Sequence, residues 1–112
     1  MNWWAMRLKI RLAWLVGLAT CPLSSAVAET IRIRVEDLAF VPAQVSARVG
    51  DTVEWVSRDF VAHTATARDE TWDVAIPPEG TGHIVLIRAG EIEYYCRYHP
   101  AMRGRMSIHS AP

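Results

Sequence analysis

The sequence predicts an all-β protein, a single small β-sandwich. Three observations carry that expectation. Apolar and polar residues alternate at period two in several short runs, and turn signals recur at roughly the 8–12-residue spacing of a sandwich. After residue 28, no stretch shows a convincing helical pattern of apolar residues.

The first 28 residues stand apart from that pattern. Arg7, Lys9 and Arg11 form a positively charged start, residues 12–20 an apolar run, and Ala26-Val27-Ala28 a small-residue cleavage motif. This is the layout of a secretory signal peptide, with cleavage expected after Ala28. The apolar run is about half of the ~20 residues that a membrane-spanning helix needs. Leu18-Ala19-Thr20-Cys21 faintly resembles a lipoprotein signal, but Thr20 before the cysteine and Pro22 after it speak against lipidation. We therefore expect residues 1–28 to be removed and residues 29–112 to form one exported domain with no membrane span.

Within that domain, Ile31, Ile33 and Val35 alternate with Arg32, Arg34 and Glu36, a strand with one buried face. Val45, Ala47 and Val49 mark a second strand, which Gly50-Asp51 is expected to turn as a hairpin into a third containing Val53, Trp55 and Ser57. Residues 59–63 read as a loop that brings His63 to the end of a strand. Residues 69–82, with Pro77, Pro78, Gly80 and Gly82, read as a long connection that Trp72 pins to the core. Residues 84–87 form a continuous apolar run of the kind buried on both faces. Gly90 opens the next strand, running through residues 92–96, and residues 106–109 supply a last edge strand.

Charge and cysteine content narrow the function. The whole chain has a formal net charge of zero, but residues 29–112 keep nine arginines against twelve acidic residues, a net charge of −3. A nucleic-acid binder should show a clear basic excess, so that class is excluded. Small exported domains are often stapled by disulfides. Here Cys96 is the one cysteine after residue 28, so no internal disulfide can form. An unpaired cysteine in an oxidising compartment pairs between chains, stays buried as an inert thiol, or binds metal.

Its neighbours favour metal. Cys96, His99 and Met102 form Cys-x-x-His-x-x-Met, and His63 lies upstream. One thiolate, two imidazoles and one thioether make the donor set of a mononuclear type 1 copper site, with His₂Cys in a rough trigonal plane and a weak axial Met. By strand parity Ile92, Tyr94 and Cys96 point inward. Pro100 then holds a turn that lets His99 and Met102 fold back over the sulfur. Met106 is a second thioether, but it alternates with Ile108 and reads as core, while His83 and His109 read as surface or edge residues. Zinc also accepts Cys and His, yet thioether is a poor zinc ligand. The candidate metal ligands are therefore His63, Cys96, His99 and Met102, and the metal is copper.

Around these residues a family resemblance covers most of the chain after residue 30. Phe40-Val41-Pro42, Val49-Gly50-Asp51-Thr52-Val53-Glu54-Trp55, Asp59, His63-Thr64 and the run from Tyr94-Tyr95-Cys96 to Arg103-Gly104 resemble the cupredoxins. The whole is most similar to the amicyanin and pseudoazurin group, and the two-residue gap between His99 and Met102 resembles amicyanins more than the longer loops of plastocyanins or pseudoazurins. The resemblance implies a Greek-key sandwich, copper bound through Nδ1 of both imidazoles, and His99 in an apolar surface patch through which electrons pass. Two positions depart from the family pattern. Ser57 stands where the family commonly has an asparagine bonded between the two ligand loops, and Ile92 stands in place of an aromatic residue.

The functional expectation is a periplasmic carrier of single electrons and not an enzyme. It would dock through Pro100, Ala101 and Met102 around His99, rimmed by Arg97, Arg103 and Arg105. A monomer is expected, serving a redox partner such as a c-type cytochrome, an amine dehydrogenase or a copper oxidoreductase. The alternative is a periplasmic protein for copper delivery or storage, although no Met-rich or His-rich tract supports it. A catalytic copper enzyme with two copper centres fits a single domain of this size poorly.

Overall fold

In a computed structural model of the chain, residues 13–20 and 27–111 are described. Residues 13–20 are exposed and carry neither helix nor strand, and the charged start of the expected signal peptide lies outside the described residues, as does Ala26 of its cleavage motif. No helix among the described residues is long and apolar enough to cross a membrane.

Nine strands follow: β1 (Thr30–Glu36), β2 (Ala39–Val41), β3 (Gln44–Arg48), β4 (Thr52–Ser57), β5 (His63–Ala67), β6 (Asp73–Ile76), β7 (Thr81–Val85), β8 (Gly90–Tyr95) and β9 (Arg103–His109). They form two sheets, one ordered β2-β1-β4-β7 and the other β3-β9-β8-β5-β6. β1 runs parallel to β4 and β3 parallel to β9, while the other pairs are antiparallel. The expected all-β sandwich is what forms.

The alternating runs bury the faces their periodicity assigns. Ile33 and Val35 of β1 and Val53, Trp55 and Ser57 of β4 point into the core, while the arginines of β1 remain exposed. Tyr94 stands at the centre, with ring centroids 4.8 Å from Phe40, 5.5 Å from Trp55 and 5.8 Å from Trp72. Trp72 thus pins its segment as expected. Burial pushes the Tyr94 phenol up to about 12, only partly offset by the Trp55 indole N–H that donates to it. Gly104 of β9 makes room for this ring, because a Cβ there would overlap the Tyr94 phenol.

Four local expectations need correction. Gly50-Asp51 does not close a hairpin: β3 and β4 lie in different sheets, and the turn carries the chain from one to the other. Asp51 organises that crossing. Its carboxylate accepts the amide N–H groups of Glu29 and Arg48, both at 2.9 Å, and its own carbonyl accepts Leu86 N–H at 2.8 Å. Residues 69–82 are not one connection, because β6 pairs with β5 inside them. Residues 84–87 are not buried on both faces: β7 ends at Val85 and the side chains alternate, so Leu86 is buried while Val85 and Ile87 on the outer face are 50% and 83% exposed. The last strand is central rather than an edge, since β9 starts at Arg103 and lies between β3 and β8.

Backbone hydrogen bonds from Glu29 and Arg48 hold the Asp51 carboxyl below its ordinary value of 3.8, despite burial. A depressed carboxyl adds stability that is present above the unfolded value and lost as pH falls through the folded one. Asp51→Asn should therefore cost about 1–3 kcal/mol at neutral pH. Its acid unfolding limb should also be flatter than the wild type's below about pH 4, as urea titrations at pH 7 and pH 3 would show.

Candidate metal centre

Cys96 follows directly on β8, and its side chain is fully buried. The next residues return tightly: Met102 N–H donates to the His99 carbonyl at 2.9 Å, and Cys96 N–H donates to the Met102 carbonyl at 3.1 Å. These bonds close the loop at the inner end of β8 and β9. His63 opens β5 and is 1% exposed, whereas His99 is half-buried.

The donor atoms of His63, Cys96 and His99 all lie within 4.8 Å of one another. Nδ1 of His63 is 3.7 Å from the Cys96 sulfur, and Nδ1 of His99 is 3.8 Å from it. Metal bonds of about 2.3 Å to sulfur and about 2.0–2.1 Å to imidazole nitrogen, opened to about 120°, leave the two atoms about 3.8 Å apart. The spacing is thus that of donors sharing one trigonal metal. Met102, 3% exposed, belongs to the same apolar cluster as Cys96, and Met106 packs in the core as expected. His83 and His109 are exposed, the latter 3.0 Å from the Ser46 hydroxyl through Nε2.

Asp59 is the residue that sequence reasoning left without a role. Its Oδ2 lies 2.7 Å from Nε2 of His63 and also accepts Leu38 N–H, while Oδ1 accepts Asp37 N–H. Burial works against its charge, but the bonds from His63, Leu38 and Asp37 together outweigh burial and hold the carboxyl below the ordinary range. A carboxylate only accepts, so the His63 proton sits on Nε2 and the Nδ1 lone pair faces the sulfur. Ser57 serves the same residue, its hydroxyl accepting Asp59 N–H at 3.2 Å. It therefore supports the His63 loop and does not bridge to the Cys96 loop. That bridge comes from Thr64, whose N–H donates to the Cys96 sulfur at 3.4 Å. A carboxylate four residues before a candidate histidine was the available signal for Asp59.

The family can now be assigned. A sequence profile of the Cupredoxin-like domain matches residues 8–108. The chain belongs to the cupredoxin-like family. It is similar to amicyanin from Paracoccus versutus, with 23% identity over 87 residues, covering 72% of this chain. That match spans 66% of the relative's own length. Among solved structures, the crystal structure of Paracoccus versutus amicyanin aligns with TM-score 0.64 and 23% identity, covering 71% of this chain and 81% of that one. A reduced Cu(I) form of an amicyanin mutant aligns with TM-score 0.63 and 23% identity, over 71% and 82% of the two chains. The cupredoxin fold is therefore shared, and one type 1 copper ion is the cofactor that this donor set fits.

The surface around the cupredoxin site differs from expectation. Met102 is buried and forms no part of an apolar patch. The two loops that carry the histidines instead expose Phe60 (82%), Tyr98 (57%) and Val61 (47%), together with Pro100 and Ala101. Two of the three rim arginines are already paired, Arg97 with Asp73 and Arg105 with Glu91 and Glu93.

Partners that orient a metal-ligating histidine typically change affinity about 10–100-fold when removed. Asp59→Ala should weaken copper binding by that order, measured by competition with a chelator. Ser57→Ala, which removes one neutral bond to Asp59, should have a smaller effect.

Proposed function

We propose that this chain is a blue-copper electron carrier, with His63, Cys96, His99 and Met102 as the ligands of one copper ion. The single observation that carries this reading is the pair of Nδ1-to-sulfur separations, 3.7 and 3.8 Å. A bound copper ion would supply reversible one-electron chemistry between Cu(I) and Cu(II). The thioether of Met102 and the buried thiolate of Cys96 favour copper over zinc.

The protein's part is to hold the donors still. Asp59 fixes the His63 ring and its tautomer, the Cys96–Met102 backbone bond closes the ligand loop, and Thr64 steadies the sulfur. A donor set fixed in this way need not rearrange when an electron arrives or leaves, which suits a carrier better than an enzyme or an exchange protein. Half-buried His99, beside exposed Tyr98, Pro100 and Ala101, offers the way out to a partner.

We further place the working protein in the periplasm, as residues 29–112 after removal of residues 1–28. The docking face is apolar, with Arg103 on its rim. Among the described residues, Arg103 forms no ion pair, so its charge remains available to steer an acidic partner. A c-type cytochrome, an amine dehydrogenase or a copper oxidoreductase with an acidic rim fits that chemistry.

Two experiments test this reading. Residues 29–112 loaded with Cu(II) should show an intense blue charge-transfer band and a narrow copper hyperfine splitting. Cys96→Ala should abolish the band, and a colourless wild-type complex would refute thiolate ligation. For docking, Arg103→Ser should slow association with the partner and flatten its salt dependence. Arg105→Ser should do less, because Glu91 and Glu93 already offset that charge.

A further inference from the structure

The Cys96 loop is tied to its neighbours by a closed ring of hydrogen bonds that lies outside the metal donors. Arg97 N–H donates to Thr64 Oγ1 at 2.9 Å, Thr64 Oγ1 lies 2.9 Å from Thr66 Oγ1, and Thr66 Oγ1 donates to Asp73 Oδ1 at 2.6 Å. The ring closes where the Arg97 guanidinium grips the same carboxylate, Nε to Oδ1 at 3.2 Å and a terminal nitrogen to Oδ2 at 3.1 Å. Thr64 and Thr66 sit two residues apart on β5, both buried, and Thr66 is opposite Asp73 of β6 in register.

The direction of every bond in this ring is determined. The Thr66 hydroxyl and Arg97 hold the Asp73 carboxyl below its ordinary range, so it is an ionised, pure acceptor. Thr66 must then spend its only proton on Asp73 and receive one from Thr64. Thr64, with its proton spent, can only accept from Arg97 N–H. Such chains polarise one another, and this one ends on a full negative charge. Its first donor belongs to the peptide that joins Cys96 to Arg97. At the other face of Thr64, the backbone N–H meets the Cys96 sulfur.

We propose that Thr66, Asp73 and the Arg97 side chain are positioning residues, acting through Thr64 to orient the Cys96–Arg97 peptide and the Cys96 thiolate. This rests on the copper reading for its redox consequence but not for its structural part. Hydrogen bonding around a copper-bound cysteine sulfur tunes the reduction potential. A slackened ring weakens the Thr64 bond to sulfur, disfavours Cu(I) and lowers the potential.

The test uses Thr66→Val, which keeps the shape and removes the hydroxyl, and Thr66→Ser, which restores it. In metal-free protein, Thr66→Val should speed amide hydrogen exchange at Arg97 about fivefold or more, the scale of one hydrogen bond, because Thr64 loses the Thr66 acceptor that fixes its hydroxyl for Arg97 N–H. Thr66→Ser should restore the wild-type rate. In copper-loaded protein, Thr66→Val should keep the blue band but lower the potential, with recovery in Thr66→Ser. Unchanged exchange at Arg97 would overturn the ring as a positioning device. Faster exchange with an unmoved potential and band would overturn its reach to the thiolate. If wild-type protein gives no blue band, the copper reading falls and the redox consequence with it, while exchange at Arg97 still decides the structural part.

Discussion

One carboxylate sets the geometry on which the candidate site depends. Asp59 accepts from the Asp37 and Leu38 amides and from the His63 ring, so it joins the β1–β2 turn to a candidate ligand. Both turn residues have positive φ, 52° and 57°, which presents their N–H groups to a single acceptor. The Asp59 carbonyl also receives Glu79 N–H at 2.9 Å, bringing in the β6–β7 turn. Three connections at one end of the sandwich therefore share one residue. The imidazole is aimed by the protein's own hydrogen bonds, which reduces the ordering that binding must impose.

The sulfur is held by a different kind of constraint. Cys96 is fully buried in the apolar cluster that includes Trp55, Tyr94 and Met102. Water has no access there, so the few polar contacts the thiol makes carry more weight than they would in solvent. The Tyr94 ring is boxed in by aromatic neighbours and by the absence of a side chain at Gly104. Tyr94 lies two residues before Cys96 on the same inward parity, so rigidity in the aromatic core passes along the backbone to the thiol.

Much of this was legible in the sequence because it obeys short-range rules. The alternation in β1 and β4 gave their buried faces, and Cys-x-x-His-x-x-Met gave the ligand loop. His63 and Cys96, 33 positions apart, were matched by chemistry rather than spacing. Long-range pairing was what the sequence hid. Gly50-Asp51 has the composition of a hairpin turn, but only the pairing of β3 with β9 shows that the chain changes sheets there. β6 is four residues of ordinary character among prolines and glycines, and it becomes a strand by docking on β5. The Ile84-Val85-Leu86-Ile87 run looked doubly buried because four consecutive apolar residues do not show which face is open to solvent. Thr66 was invisible for a related reason: a polar residue declares its role only through the partner it meets.

The parallel pairing of β3 with β9 also constrains the order in which the molecule can come together. Gln44 meets Arg105 and Arg48 meets His109, so the second sheet is completed only when the two far portions of the chain find each other. Contacts of that separation are slow to form, because the entropy of closing a long loop must be met before they stabilise anything. β9 is also the strand on which the Cys96 loop ends, and it is flanked only once β3 has arrived. A chain emerging from its N-terminus thus presents His63 early but an unsecured thiol until its last strand is in place. The candidate site is therefore completed late, by chain closure.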